Sequence, residues 1–432
     1  MTTPPVEITQ VEALEILDSR GHPTLKVSLT EARGHQFHAA VPSGASTGGR
    51  EARELRDGDP GRFGGRGVLQ AAASVRGPIK DLTCGQPWHR LEDLDSALRA
   101  LDGSPDLSRL GANAVLGVST AMCRAFAQAS SLELHDWIDQ QRGGGRSQRL
   151  PVPHFNVVNG GAHAGNELAF QEFMVAPVGA PDLPSAVRAG AEIYHGLRKR
   201  LADAGQDTGL GDEGGFAPEI SHPADVLELL TRAIDDAGYS VGRDGVMLAL
   251  DPAANGFFEA GRYQVGDDSL TFTDLVELYA ELTDRFPIWS IEDGCAEDDH
   301  EGWKLLTGRL GERIQLVADD IACTQAQIVR ELASAGIGNA VLVKPNQVGT
   351  ISETLETVEA AESLGYSLMV SHRSGDTMDD FVADLAVGIG CGALKSGAPA
   401  RGERVAKYNR LLAIAAARPD MPYGLAPTAS RT

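Results

Sequence analysis

Val246-Met-Leu-Ala-Leu250-Asp251, Ile288-Trp-Ser-Ile291-Glu292, Ile314-Gln-Leu-Val-Ala318-Asp319, Ala340-Val-Leu-Val343-Lys344 and Ser367-Leu-Met-Val370-Ser371-His372 share one pattern. Each is a short apolar run that stops at an ionisable residue, directly or, at His372, through one serine. The ionisable ends lie 41, 27, 25 and 28 residues apart, about one strand plus one helix per step. Repeated parallel βα units close into a barrel, and the residues at the carboxyl ends of its strands share one mouth. The pattern predicts that Asp251, Glu292, Asp319, Lys344 and His372 converge there.

Outward from these runs, strand-like and helix-like stretches alternate from Pro151 to the end, a length of about 280 residues that suits a barrel with insertions. Apolar spacing predicts helices over Leu183–Ala204, Ala224–Ala237, Asp274–Phe286, Ile321–Ala335 and Ile351–Leu364. The first third reads as mixed α+β. Strand-like stretches flank the turn Asp18-Ser-Arg-Gly-His-Pro23, a short strand spans Phe37–Val41, and helical stretches cover Leu91–Leu101 and Ala112–Ile138. Gln140-Gln-Arg-Gly-Gly-Gly-Arg-Ser-Gln148 has linker composition. The expected division is a domain over 1–140, a linker over 141–150 and a catalytic barrel over 151–432. The tail from Ala413 reads as loosely held.

The formal net charge of −22 disfavours nucleic acid and anionic membranes as partners. An anionic substrate would then need a metal, Lys and Arg in its cleft. Five scattered cysteines without a CxxC pair argue against a disulfide framework or a structural zinc site. The N-terminus lacks a signal-peptide pattern, and no apolar run approaches a membrane span, so a soluble cytoplasmic protein is expected.

Asp251, Glu292 and Asp319 offer hard oxygen ligands, which suit Mg²⁺ or Mn²⁺ better than zinc; any one of them alone would pass for a helix N-cap. Lys344 follows an apolar run, and desolvation at a mouth would lower its pKa and make it a base. Read alone, it equally fits a lysine snorkelling to water. Ser371-His-Arg-Ser-Gly375 suits a phosphate clamp or a capping loop. Lys395 adds a cation at the end of another apolar stretch. Glu172 and Glu213, each beside a turn, suit an acid/base pair with separated pKa values or plain exposed acids. His163, in Gly160-Gly-Ala-His-Ala-Gly165, fits a substrate-covering loop or a solvated one.

In their order along the chain, Ile16-Leu-Asp-Ser-Arg-Gly21, Val41-Pro-Ser-Gly-Ala-Ser-Thr-Gly48, Asn159-Gly-Gly-Ala-His163, Gln171-Glu-Phe-Met174, Gly211-Asp-Glu-Gly-Gly215, Ser290-Ile-Glu-Asp293, Ala318-Asp-Asp320, Ser371-His-Arg-Ser-Gly375 and Gly397-Ala-Pro-Ala-Arg401 resemble the motifs of the enolase family. The resemblance runs nearly end to end. It implies an α/β fold: an N-terminal α+β cap and a C-terminal TIM-like β/α barrel whose second strand is antiparallel to the rest. It implies dehydration of 2-phosphoglycerate to phosphoenolpyruvate. Lys344 would abstract the α-proton and Glu213 protonate the leaving hydroxyl, with Glu172 and Lys395 assisting. Asp251, Glu292 and Asp319 would hold one Mg²⁺, and Ser46 would help hold a second that arrives with substrate. His163, His372, Arg373 and Ser374 would contact substrate, together with Glu172 and Lys395. A homodimer or higher homo-oligomer is implied.

The surroundings of these residues depart from the family pattern at His22, Asn255-Gly256-Phe257, Pro345, Gly402 and Ala413–Arg418. These departures open a second expectation, a dehydratase of specialised metabolism. It would convert a carboxyphosphonate analogue of 2-phosphoglycerate to carboxyphosphonoenolpyruvate, in phosphinate antibiotic biosynthesis. A third reading, a non-catalytic binding protein on the same scaffold, is opposed by the complete catalytic set.

Overall fold

Alternating burial along the first strand builds the N-terminal sheet. In β1 (Val6–Leu17), Val6, Ile8, Val11 and Ala13 face inward while Glu7, Thr9 and Glu12 face water. With β2 (Pro23–Glu31), β3 (Gln36–Ala40) and β4 (Pro87–Trp88) it forms a sheet of order β3-β2-β1-β4. The structure is a computed structural model and describes residues 4–44, 48–145 and 148–425. The inner face of the sheet is covered by the helix Ala112–Ala129, which is apolar nearly all round and accordingly buried. A Cβ on Gly117 would lie 2.5 Å from Val27 Cγ2, so glycine there lets helix and sheet touch.

The barrel starts with β5 (Val152–Asn159), β6 (Glu172–Ala176) and β7 (Met247–Asp251). A small antiparallel sheet of β8 (Phe258–Glu259), β9 (Arg262–Val265) and β10 (Asp268–Leu270) interrupts it. It resumes with β11 (Ile288–Glu292), β12 (Gln315–Ala318), β13 (Ala340–Val343), β14 (Ser367–Ser371) and β15 (Ala393–Lys395), which pairs with β5 and closes eight strands. β6 is antiparallel to both of its neighbours, and every other pairing is parallel. The expected barrel with a reversed second strand is therefore present. Two helices, Leu183–Asp203 and Pro223–Asp236, lie between β6 and β7.

The strand interiors are apolar below the mouth. One layer holds Met174, Met247 and Trp289, another Val317, Leu342 and Met369. Leu425 packs against both. Leu150 N–H donates to Pro422 O at 2.8 Å and Tyr423 Oη to Pro177 O at 2.8 Å. The tail is thus fastened as far as Leu425, contrary to the expectation from Ala413 onward; the helix Gly402–Ala417 already buries Leu411, Ile414 and Ala415.

Two element expectations are also corrected. The stretch Ala112–Ile138 is two helices, Ala112–Ala129 and Leu134–Gln141, broken where Ser131 takes φ 56°. The helix expected over Ile321–Ala335 starts at Ala326, because Cys323 and Thr324 take φ 48° and 52° and Thr324 turns inward to bond Gln347. The expected linker is tied down at its start, where buried Arg142 donates to Ile389 O at 3.0 Å.

Candidate active site

The reversal of β6 explains how Glu172, the first residue of its strand, reaches the mouth where the other strands end. It pairs with Asp251, the last residue of β7. Glu292 ends β11, Lys395 ends β15, and Asp319, Lys344 and His372 each follow a strand directly. The ionisable ends converge as the spacing predicted.

Lys395 joins three of the acids. Its Nζ lies 3.2 Å from Glu172 Oε1, 3.0 Å from Asp251 Oδ2 and 2.8 Å from Glu292 Oε1. Burial works against its charge, but Asp251, Glu172 and Glu292 outweigh burial and hold its pKa well above the usual lysine range. Lys344 bonds Asp319 Oδ2, whose other oxygen accepts from Gln347 Nε2 at 2.9 Å. Burial pulls Lys344 down and Asp319 more than offsets it, so its pKa stands above the ordinary value. The expectation of a lowered Lys344 pKa is corrected: desolvation alone would lower it, but this amine is desolvated against a carboxylate.

Glu213 comes from the loop between the two helices that follow β6. Phe216 N–H donates to Val157 O and Asn159 N–H to Phe216 O, at 2.9 and 2.8 Å, which lashes the loop to β5. Gly214 at φ 87° makes the turn that aims Glu213 inward. Glu213 Oε2 accepts from Asn156 Nδ2 at 3.0 Å and faces His372 Nε2 at 3.2 Å. His163 is buried, its Nδ1 being 3.9 Å from Glu213 and 4.0 Å from Glu172. The exposed alternatives for His163, Glu172 and Glu213 are therefore excluded.

Oxygens of Glu172 and Glu213 lie within 4.8 Å of one another. Burial, then Glu213, push Glu172 up. Burial resists the ionisation of Glu213, but the histidines and Arg404 outweigh it and hold Glu213 well below the usual range. Burial brings His372 down to about 4.

Buried Arg373 is gripped by Glu51 of the N-terminal domain, with Nη1 to Oε2 at 3.0 Å and Nη2 to Oε1 at 3.1 Å. Ser374 lines the same cleft, of about 380 Å³, as do His163, Glu213, Lys344 and Lys395. Ser46 lies outside the described residues.

The acids suit a hard dication. Asp251, Glu292 and Asp319 are each buried and met by a lysine ammonium, and Glu292 Oε2 is buried with no hydrogen-bond partner among the described residues. Asp319 also has Asp293 and Asp320 within 4.8 Å. Asp293 accepts the Asp319 and Asp320 N–H groups at 3.0 and 2.9 Å, which orients that corner.

Reading the sequence missed Glu51, Asn156, Gln347 and Arg404 as parts of the site. Gln347 and Arg404 stand in segments already singled out, but nothing in Glu51 or Asn156 marks them before the chain is folded. The departures find local reasons. Pro345 opens a short 3₁₀ turn, where its missing N–H has no bond to lose. Asn255 donates to Asp320 at 3.1 Å and accepts from Glu297 N–H at 2.8 Å.

Residues 8–138 match the family model described as "Enolase, N-terminal domain", and residues 147–421 match "Enolase, C-terminal TIM barrel domain". A protein called "Enolase" from Rubrobacter xylanophilus is 52% identical over 410 residues, covering 94% of this chain and 94% of its own. Another called "Enolase", from a Nitratiruptor species, is 48% identical over 411 residues, covering 95% and 96%.

Proposed function

The chain belongs to the enolase family and is a hydro-lyase of the phosphopyruvate hydratase type; on that premise we propose how its residues convert 2-phosphoglycerate to phosphoenolpyruvate and water. Lys344 takes the proton beside the substrate carboxylate. Glu213 passes to the departing hydroxyl, from the other side of the cleft, a proton that it shares with neighbouring Glu172. Glu172 and Lys395 assist, Lys395 facing the substrate carboxylate or hydroxyl. His163, His372, Arg373 and Ser374 contact the rest of the substrate. The observation that carries this reading is that Lys344 and the Glu172–Glu213 pair line the same cleft.

Enolase chemistry depends on Mg²⁺, and Asp251, Glu292 and Asp319 are the residues that would hold it. Held there, Mg²⁺ would supply positive charge beside the substrate carboxylate as that group gains a second negative charge, and Asp319, which Lys344 bonds, would be one of the residues holding it. A second Mg²⁺, held with the help of Ser46, belongs to the same proposal. So does the division at 1–140, 141–150 and 151–432. A cytoplasmic homo-oligomer completes it, supported by the exposed Leu14 and Leu17 on β1. Among the described residues no helix is long and apolar enough to cross a membrane. The carboxyphosphonate reading is not favoured, since relatives called enolase match this chain at about half of all positions along nearly its full length.

The test is phosphoenolpyruvate formation from 2-phosphoglycerate with Mg²⁺. Turnover is expected, and Lys344→Ala should lower kcat by roughly 10³-fold or more. An active Lys344→Ala variant would remove Lys344 as the base. Absence of turnover in the unaltered protein would sink the substrate assignment.

A further inference from the structure

Arg404 is fully buried at the start of the last helix. Its Nη1 lies 2.6 Å from His372 Nδ1 and 2.6 Å from Arg373 O. Its Nη2 reaches Ser374 O at 2.5 Å, Asp212 O at 3.1 Å and Ser19 Oγ at 3.3 Å. One side chain thus ties the 371–376 loop, the Glu213 loop and the first turn of the N-terminal domain together.

A guanidinium can only donate, so the atom of His372 at 2.6 Å must accept. An Nδ1–H there would set donor against donor. A flipped ring would press a C–H on the guanidinium. An imidazolium would add like charge to the clash. The remaining species carries its proton on Nε2, 3.2 Å from Glu213 Oε2. We propose that Arg404 is a positioning residue that fixes His372 as the neutral Nε2–H tautomer, which turns that N–H toward Glu213 and makes it available to orient the carboxyl for its proton transfer.

The charged groups around the ring agree with this. Asp376 Oδ2 stands 4.0 Å from Nδ1, beyond hydrogen-bond reach. Asp376 Oδ1 is occupied by Lys407 at 2.9 Å. His163 is on the far side of Glu213, and Lys395 meets His372 only through its backbone carbonyl. Among the described residues Nε2 makes no aligned hydrogen bond, and Glu213 Oε2, 3.2 Å away, is the carboxylate oxygen it faces.

The inference rests on Glu213 being the acid, but its first test does not depend on activity. The protein is labelled with ¹⁵N-histidine, and ring proton–nitrogen correlations are recorded with Mg²⁺ from pH 8 to pH 5.5. His372→Asn identifies its signals among the eleven histidines. The Nε2–H pattern is expected throughout; an Nδ1–H or doubly protonated ring at pH 7 overturns the proposal. Arg404→Met should release the tautomer, lower kcat by about 10- to 100-fold and add an acid limb to the kcat profile. KM for 2-phosphoglycerate should change less than kcat. A rise in KM alone, with the tautomer intact, would reduce Arg404 to a structural brace. If Arg404→Met does not fold, the spectrum of the unaltered protein still decides. If the protein does not turn over 2-phosphoglycerate, the functional reading fails while the tautomer result stands by itself.

Discussion

Lys395 is a cation withdrawn from water among Glu172, Asp251 and Glu292. Removing one partner of a buried ion cluster leaves uncompensated charge and costs about 3–5 kcal/mol. Lys395→Met should therefore lower stability by that order in EDTA. A dication binding the same acids should recover part of the loss by mass action. Denaturant midpoints in EDTA and in saturating Mg²⁺ test this; an equal deficit in both would show that Lys395 and the metal do not share these acids. At this scale the sequence was most legible for the strand ends, where a charge after an apolar run has one place to go. Glu51 was illegible, because its partner Arg373 is 322 residues away and no local pattern couples them. The Lys344 pKa was misread for a related reason: desolvation is visible in an apolar run, but the opposing carboxylate is a tertiary fact.

The loop carrying Glu213 depends on backbone geometry more than on packing. Gly214 has φ 87°, and a Cβ there would sit 3.2 Å from Ala398 Cβ. Gly214→Ala should cost about 1–2 kcal/mol and lower kcat, because the strain is relieved by moving Glu213. Pro345→Val is the contrasting case, at the first position of its turn, beside extended Lys344 with φ −128° and ψ 101°. It should leave kcat unchanged and stability within roughly 0.5 kcal/mol. Thermal melts and steady-state rates on the two variants check both; a large loss of rate in Pro345→Val would make proline part of the machinery. Helices with an amphipathic stripe, such as Leu183–Asp203, were legible to within a residue or two. The break after Ala129 was not, since Ser130-Ser-Leu-Glu133 carries no glycine or proline and the turn is imposed by packing.

The N-terminal domain and the barrel are joined by buried polar contacts whose stability must vary with pH. Asp95 Oδ2 accepts from Ser119 Oγ at 3.0 Å and from Ser352 N–H and Oγ at 3.0 and 2.6 Å, across the two domains. Its Oδ1 is buried without a hydrogen-bond partner among the described residues. Three donors do not offset the burial of the charge, and the pKa rises from 3.8 to about 6. The folded protein therefore binds this proton more tightly than the unfolded chain. Above pH 6 the ionised carboxylate costs stability, and as pH falls from about 6 to 4 the fold gains about 3 kcal/mol from this group. Asp95→Asn cannot titrate, and whatever its altered hydrogen bonds cost is the same at every pH. Relative to the unaltered protein it should thus be more favourable at pH 8 than at pH 4 by about 3 kcal/mol. Because both proteins carry the same site carboxylates, the difference between them isolates Asp95. Urea unfolding of the pair at pH 4, 5, 6, 7 and 8 measures it. A difference independent of pH would mean that Asp95 ionises normally, and that the domains meet at a hydrated seam and not a dry one.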